Sequence, residues 1–156
     1  DELLKKFKEQ LQKKMVYDNI IILNPSLKDL LNDNIFKLEV EDKEFYVPLW
    51  HHELHFSLQN KDLIVRCEPD IAKEVWINES NNMYIQKQIS ITELFEKGFY
   101  EFEIGEKLFK IYSDSLKITK EKQIVLLKES GILRINEEHT YDATLRGDIY
   151  VEVFLV

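Results

Sequence analysis

Ser26-Leu27-Lys28-Asp29-Leu30-Leu31-Asn32-Asp33-Asn34-Ile35-Phe36-Lys37-Leu38-Glu39-Val40 lies without a gap over Ser90-Ile91-Thr92-Glu93-Leu94-Phe95-Glu96-Lys97-Gly98-Phe99-Tyr100-Glu101-Phe102-Glu103-Ile104. Each copy opens on a serine able to cap a helical turn, and each carries apolar residues along one side of that turn. Asn34 and Gly98 occupy the exit, and both residue types tolerate the positive φ of a tight passage from helix to strand. Beyond the exit the apolar period becomes two. Phe36, Leu38 and Val40 fall on one face, as do Tyr100, Phe102 and Ile104, with charged or polar residues largely between them.

Working outward, Tyr17–Leu23 is a β-branched run that precedes the first copy. Glu44–Leu49, Glu53–Ser57 and Asp62–Cys67 are short apolar or alternating runs that follow it. The copies also close alike. Lys61-Asp62-Leu63-Ile64-Val65-Arg66-Cys67 matches Gly147-Asp148-Ile149-Tyr150-Val151-Glu152-Val153, an aspartate leading into an apolar-rich strand. Preserved cap, turn residue and strand register mark a duplicated unit rather than a chance match. Pro69 restricts the residue before it and cannot donate to a ladder, which places a boundary near Glu68-Pro69-Asp70. The expected architecture is all-β: two tandem small sandwich-like domains with short helical turns, over 17–68 and 69–156. Before them, Leu3, Leu4, Phe7, Leu11 and Met15 recur at helical spacing, predicting an amphipathic helix or linker over 1–16.

Composition limits the function classes. The chain has 156 residues of which 44% are hydrophobic, enough for one ordinary core or two small ones. Its net charge of −8 argues against a general nucleic-acid surface, which needs a field of Lys and Arg. Cys67 is the sole cysteine, so an internal disulfide framework and a cysteine-based zinc module are both excluded, and a reducing, cytoplasmic setting is favoured. No apolar run approaches a bilayer span, so no membrane partner is expected. A start at Asp1 without methionine or a signal-like core reads as a fragment of a longer chain.

Chemistry-bearing motifs are few. His51-His52-Glu53-Leu54-His55 would, if extended, put His51, Glu53 and His55 on one strand face, a spacing from which zinc could be held. It is neither the helical His-Glu-x-x-His pattern nor backed by a fourth ligand nearby, so a structural or surface role is the preferred reading and no metal is expected. Arg146-Gly147-Asp148 leads straight into an apolar strand. It therefore reads as a turn glycine followed by an aspartate that accepts from nearby backbone donors, not as an exposed adhesion tripeptide. The serines lack a base at any recognisable spacing, Cys67 sits inside a strand pattern, and four glycines form no phosphate loop. No enzyme activity, catalytic residue or cofactor is expected.

The strand, Ser-Leu-x-Asp-Leu-Leu turn and strand of Ile20–Val40 resembles the opening of the first C-terminal domain of DnaJ-type co-chaperones. Asn82–Leu94 resembles the start of the second such domain, and Leu145-Arg146-Gly147-Asp148-Ile149-Tyr150-Val151-Glu152-Val153 resembles its closing arginine-glycine-aspartate strand. The resemblance covers about Tyr17 to Val156, and the family's two-copy architecture accounts for the repeat. The His-Pro-Asp tripeptide of a J-domain, the Gly/Phe linker and the Cys-x-x-Cys-x-Gly-x-Gly repeats are absent from the sequence, so the likeness is to the zinc-free subtype.

Such domains hold extended, non-native polypeptides, and the acidic tail of a DnaK-type chaperone, by strand addition along a groove of the first domain. The resemblance places that groove on Ile35, Phe36, Lys37, Leu38 and Val40, with Leu38 and Val40 at the apolar pocket positions. Phe36 stands where the family usually has a lysine expected to pair with the acidic tail, which weakens the expectation of tail binding relative to apolar client binding. The trimmed stretch between Val40 and Lys61 and the missing dimerisation helix are further departures. They motivate an alternative, a scaffolding protein that keeps the fold without client transfer. A metal-dependent enzyme at the histidine cluster ranks third.

Overall fold

A computed structural model describes the backbone of Phe7–Lys8 and Lys13–Tyr17 and all atoms of 19–156. These residues are mostly β-strand, with two short helices. They divide into two compact units. The first is Asp1–Ile71 with Ile135–Ala143, and the second is Ala72–Arg134 with Thr144–Val156.

In the first unit, β2 (Lys13–Tyr17), β3 (Ile20–Leu23), β6 (Glu53–Leu58) and β7 (Lys61–Cys67) form a sheet in the order β2-β3-β7-β6. The β3–β7 contact is parallel, and its two neighbours are antiparallel. A parallel pair needs a long crossover. Here it runs through α1 (Leu27–Leu31), the hairpin of β4 (Ile35–Val40) and β5 (Lys43–Pro48), and then β6; the hairpin with β1 (Phe7–Lys8) makes a second sheet in the order β1-β4-β5.

The second unit repeats this plan. Its strands β8 (Val75–Ile77), β9 (Met83–Ile89), β12 (Gln123–Leu127) and β13 (Ile149–Leu155) are ordered β8-β9-β13-β12, with β9–β13 parallel. The crossover runs through α2 (Ile91–Lys97), the hairpin of β10 (Phe99–Ile104) and β11 (Lys107–Tyr112), and then β12. The two closing strands bury the same alternate positions: Leu63, Val65 and Cys67 in one unit, Ile149, Val151 and Val153 in the other. The duplicated phrase therefore sits in equivalent places, as its register implied.

Three expectations need correction or restriction. The amphipathic helix expected over Asp1–Met15 lies largely outside the described residues, and those described, Phe7–Lys8 and Lys13–Met15, are in strands. Their backbone groups pair with the edges of β4 and β3 rather than along a helix. The run Tyr17–Leu23 is divided between β2 and β3. The positive φ at the exit of α1 belongs to Asp33 (φ 58°) and not to Asn34, whereas Gly98 (φ 80°) does take the left-handed conformation. Asn34 is held otherwise. Its N–H donates to the Asp29 carbonyl at 3.0 Å and its side-chain amide to Asp29 Oδ1 at 2.9 Å, so the reversal falls on the residue before it.

Gly147 is required by close approach, since a Cβ there would lie 2.2 Å from the carbonyl oxygen of Asn81. Asp148 does accept from a backbone donor, the Glu129 N–H at 2.8 Å, which agrees with the turn reading of Arg146-Gly147-Asp148. Of the two tryptophans, Trp50 is core and Trp76 is 62% exposed.

Candidate functional site

The candidate site is the edge of β4, and its geometry begins at the cap of α1. Ser26 Oγ accepts from the Asp29 N–H at 3.2 Å, and Asp29 Oδ2 accepts in return from the Ser26 N–H at 2.9 Å, a reciprocal capping box. Asp29 is buried, and its other oxygen takes the Asn34 amide. One carboxylate thus ties the start of the helix to the residue that leads into β4.

The hairpin then sets which backbone groups face outward. Glu41 and Asp42 both have positive φ, the two-residue turn favoured between twisted strands, so the flanking pair Val40↔Lys43 is hydrogen-bonded. Hydrogen-bonded and non-bonded pairs alternate in an antiparallel ladder. The even residues Phe36, Leu38 and Val40 therefore bond to β5, while the N–H and C=O groups of Ile35, Lys37 and Glu39 point to the opposite edge. Two facts agree with this parity: Asn34 O accepts from Leu49 N at 3.2 Å, and Ile35 lies opposite Pro48, which has no N–H to give.

The same alternation distributes the side chains. Phe36 is buried and Leu38 is 0% exposed, packed on the inner side, while Ile35 and Val40 are half-buried. Lys37 projects from the outer side, where its ammonium lies 3.1 Å from Glu44 and 4.0 Å from Glu39. The hydrogen-bonded Glu44 carboxylate, then its charge, holds the Lys37 ammonium above its ordinary 10.5, and Lys37 holds Glu44 below 4.5. Leu38 thus supports the strand from beneath, and the outward-facing groups of the edge are backbone. The outer side adds charge.

The two edges of this sheet differ. On β5 the outward carbonyl of Tyr46 accepts from Tyr141 Oη of segment 135–143 at 2.8 Å, and no further strand pairs with that edge among the described residues. His51 fastens the same segment: it is 3% exposed, and its Nε2 lies 2.7 Å from the Thr140 carbonyl. A carbonyl only accepts, so this nitrogen carries the proton. Burial, helped by neighbouring His52, holds His51 below its ordinary 6.5, against the opposing pull of the Thr140 carbonyl and Glu137. On β4, the described partner is β1, which pairs in parallel through Phe7↔Ile35 and Lys8↔Phe36. In a parallel ladder Lys8 seats between Ile35 and Lys37, so it takes the Ile35 carbonyl and the Lys37 N–H, and beyond these groups the edge has no partner among the described residues.

No family model matches the chain, and no curated protein matches it in sequence.

The remaining candidates have structural explanations. His51 and His55 do not share a site, since His51 is buried against Thr140 while His55 Nε2 lies 3.0 Å from Glu53, which also binds Arg66 at 3.0 Å on the surface. Among the described residues, no three His, Cys, Asp or Glu side chains are grouped to hold a metal ion. The Cys67 thiol is buried, and burial pushes it up to about 12, far from a reactive thiolate. No helix among the described residues is long and apolar enough to cross a membrane.

The sequence reading did not find segment 135–143 or β1. Thr140 meets His51, and Tyr141 meets Tyr46, across some ninety residues of chain, a separation that no local period reports. In the second unit a cleft of about 290 Å³ opens on the face of the four-stranded sheet, lined by Trp76, Tyr84, Tyr150, Ile124, Glu74 and Glu152. Tyr84 and Tyr150 stack there at 4.9 Å.

Proposed function

We propose that the β4 edge docks extended polypeptide by strand addition, and that the chain is the client-binding part of a zinc-free DnaJ-like co-chaperone. In this reading the two units are a tandem pair of sandwich-like domains, and the first carries the dock. The observation that supports it best is that the Lys37 carbonyl and both backbone groups of Glu39 face away from β5, with no strand beside them among the described residues. An extended chain satisfies such groups whatever its sequence, because the backbone is common to every client. Delivery to a DnaK-type partner would follow release. Phe36, at the position of the family's lysine, is buried and brings no charge to an acidic tail.

A second reading is favoured by one specific feature. The Lys37–Glu44–Glu39 charges on the outer side of β4 are a device by which sheet edges resist unwanted pairing, as a purely structural domain would need.

A single substitution separates the two. Glu39→Pro removes an N–H that points away from β5 and lies beyond Lys8, so the β4–β5 ladder loses no bond and the far-UV spectrum stays unchanged. Under the docking reading, a fluorescein-labelled octapeptide alternating leucine and threonine binds the full chain, and Glu39→Pro weakens it by about tenfold, the loss of one backbone hydrogen bond. Glu39→Ala, which removes only an exposed ion pair, changes binding by less than about threefold. A full chain that binds neither this peptide nor unfolded polypeptide leaves the scaffolding reading standing.

A further inference from the structure

We propose that the outer face of the second unit's four-stranded sheet binds a neutral sugar ring, in the cleft beside Trp76. The inference is independent of the β4 edge, since every residue lining the cleft belongs to the second unit.

The register builds this face. Along β9 and β13 the alternate residues Met83, Ile85, Ile149, Val151 and Val153 are buried, so Tyr84, Gln86, Tyr150 and Glu152 between them project to the other side. Strand pairing then sets them in rows. Trp76, Tyr84, Tyr150 and Leu126 stand opposite one another across all four strands, and Gln86, Glu152 and Ile124 form the next row. The Trp76 ring lies 5.0 Å from that of Tyr84, and the Tyr84 and Tyr150 rings are nearly parallel, at 7°. Trp76, on the edge strand, leaves most of its indole in water.

The repeated fold does not itself call for tyrosines here. The first unit places Ile20 and Ile64 where the second has Tyr84 and Tyr150, and Arg66 where the second has Glu152. Its charges are also closed on one another, with Glu53 3.0 Å from both Arg66 and His55. In the second unit Lys122 binds Glu152 at 3.0 Å, but the side chains of Lys73, Glu74 and Gln86 in the cleft make no hydrogen bond or ion pair among the described residues.

The chemistry of the lining defines the ligand. A cation needs acceptors and an anion needs donors, whereas the Lys73 ammonium, the Gln86 amide and the Glu74 and Glu152 carboxylates supply both, with Lys73 and Lys122 offsetting the two negative charges. Hydroxyls donate and accept alike, so a ring carrying several of them satisfies such a set without bringing charge. The aromatic row meets its other side. The C–H face of a pyranose is apolar with weakly positive hydrogens, and it rests on the negative face of an aromatic ring as the edge of another aromatic does. A cleft of about 290 Å³ is at the small end of ligand sites, roughly 300–1,000 Å³, and takes one ring rather than a long chain. So few contacts give a dissociation constant on the order of millimolar.

The test follows the Trp76 indole N–H by NMR while the methyl glycosides of glucose, galactose, mannose and N-acetylglucosamine are added in turn to the full chain. At least one is expected to shift that resonance saturably and to leave the Trp50 indole unmoved. Trp76→Ala, a truncation at an exposed position, is expected to weaken binding by about tenfold or more, read by saturation transfer to the sugar C–H protons. Glu74→Gln keeps an acceptor and removes the charge, so affinity stays within about threefold, and about 1 M salt leaves it unchanged. Four glycosides that leave Trp76 unmoved would overturn the proposal, as would saturation transfer that persists undiminished in a folded Trp76→Ala. A Trp76 shift produced by methylguanidinium or tetramethylammonium but by no glycoside, and lost in Glu74→Gln, would make the cleft a cation site instead.

Discussion

The same fifteen-residue phrase folds to a serine-capped helical turn and a strand in both units, yet its residues meet different surroundings. Leu31 is 3% exposed, whereas Phe95 at the matching position is 63% exposed. Asp29 is buried and makes the capping box, whereas Glu93 is exposed and the Ser90 cap accepts only its N–H, at 3.4 Å. Phe36 is core, while Tyr100 is half-buried. The first unit closes its helical turn tightly against the body, and its hairpin gains a third strand, β1, where β10 and β11 pair only with each other among the described residues. The second leaves aromatic side chains on its surface, including Phe95 beside the turn and Trp76 on the sheet face. A duplicated backbone plan has been kept while the two copies place their uncovered surface differently.

The sharpest way to break this comparison is at the closing strands. Gly147 corresponds to Lys61 of the first unit, and only Gly147 is pressed against backbone. Gly147→Ala should destabilise the second unit by about 3 kcal/mol, because the atom at 2.2 Å is a main-chain oxygen that cannot swing aside. Lys61→Gly should cost the first unit below about 1 kcal/mol. Each unit holds one tryptophan, Trp50 in the first and Trp76 in the second, so urea unfolding of Trp50→Phe and Trp76→Phe backgrounds reads them separately.

Truncating the matched pair on the helical turns sharpens the contrast in burial. Leu31→Ala removes a core side chain and is expected to cost about 2 to 3 kcal/mol. Phe95→Ala is expected to change stability by less than about 0.5 kcal/mol. Equal losses in the same unfolding assay would mean that the two turns pack alike.

The smallest effect is the pH response of the first unit. His51 is held below its ordinary 6.5, so folding favours its neutral form. That stability is complete above about 6.5, the unfolded value, and is lost as the pH falls from there through the lower folded value. Acidification should loosen segment 135–143 before the rest of the unit unfolds, seen as faster amide exchange at Tyr141. His51→Gln should remove the pH dependence of that exchange, and its persistence in the variant would assign the response to another group.

Local signals made much of the fold legible. Serines before an apolar turn announced both caps, period-two alternation marked β4, β7, β10 and β13, and the gapless match located the two crossovers. All of these depend on contacts within a few residues, where sequence spacing and spatial spacing coincide. The exit residue was misplaced by one, because the side chain of Asn34 was engaged by Asp29 and the positive φ passed to Asp33. The site was legible only in part. Ile35, Phe36, Lys37, Leu38 and Val40 were all placed on one strand, but a strand pattern alone does not say which face is covered or which edge is open.

By itself the sequence determined the all-β class, the repeated unit and the alternation that puts Phe36 and Leu38 on the side opposite Lys37. Only the tertiary structure decided that His51 is a buried donor to Thr140, that Tyr141 donates to the Tyr46 carbonyl, and that β1 takes the start of the β4 edge. The reason is physical. Caps and strand alternation follow from local geometry, whereas the occupancy of a sheet edge follows from which distant backbone segment reaches it, and backbone groups are the same in every residue but proline.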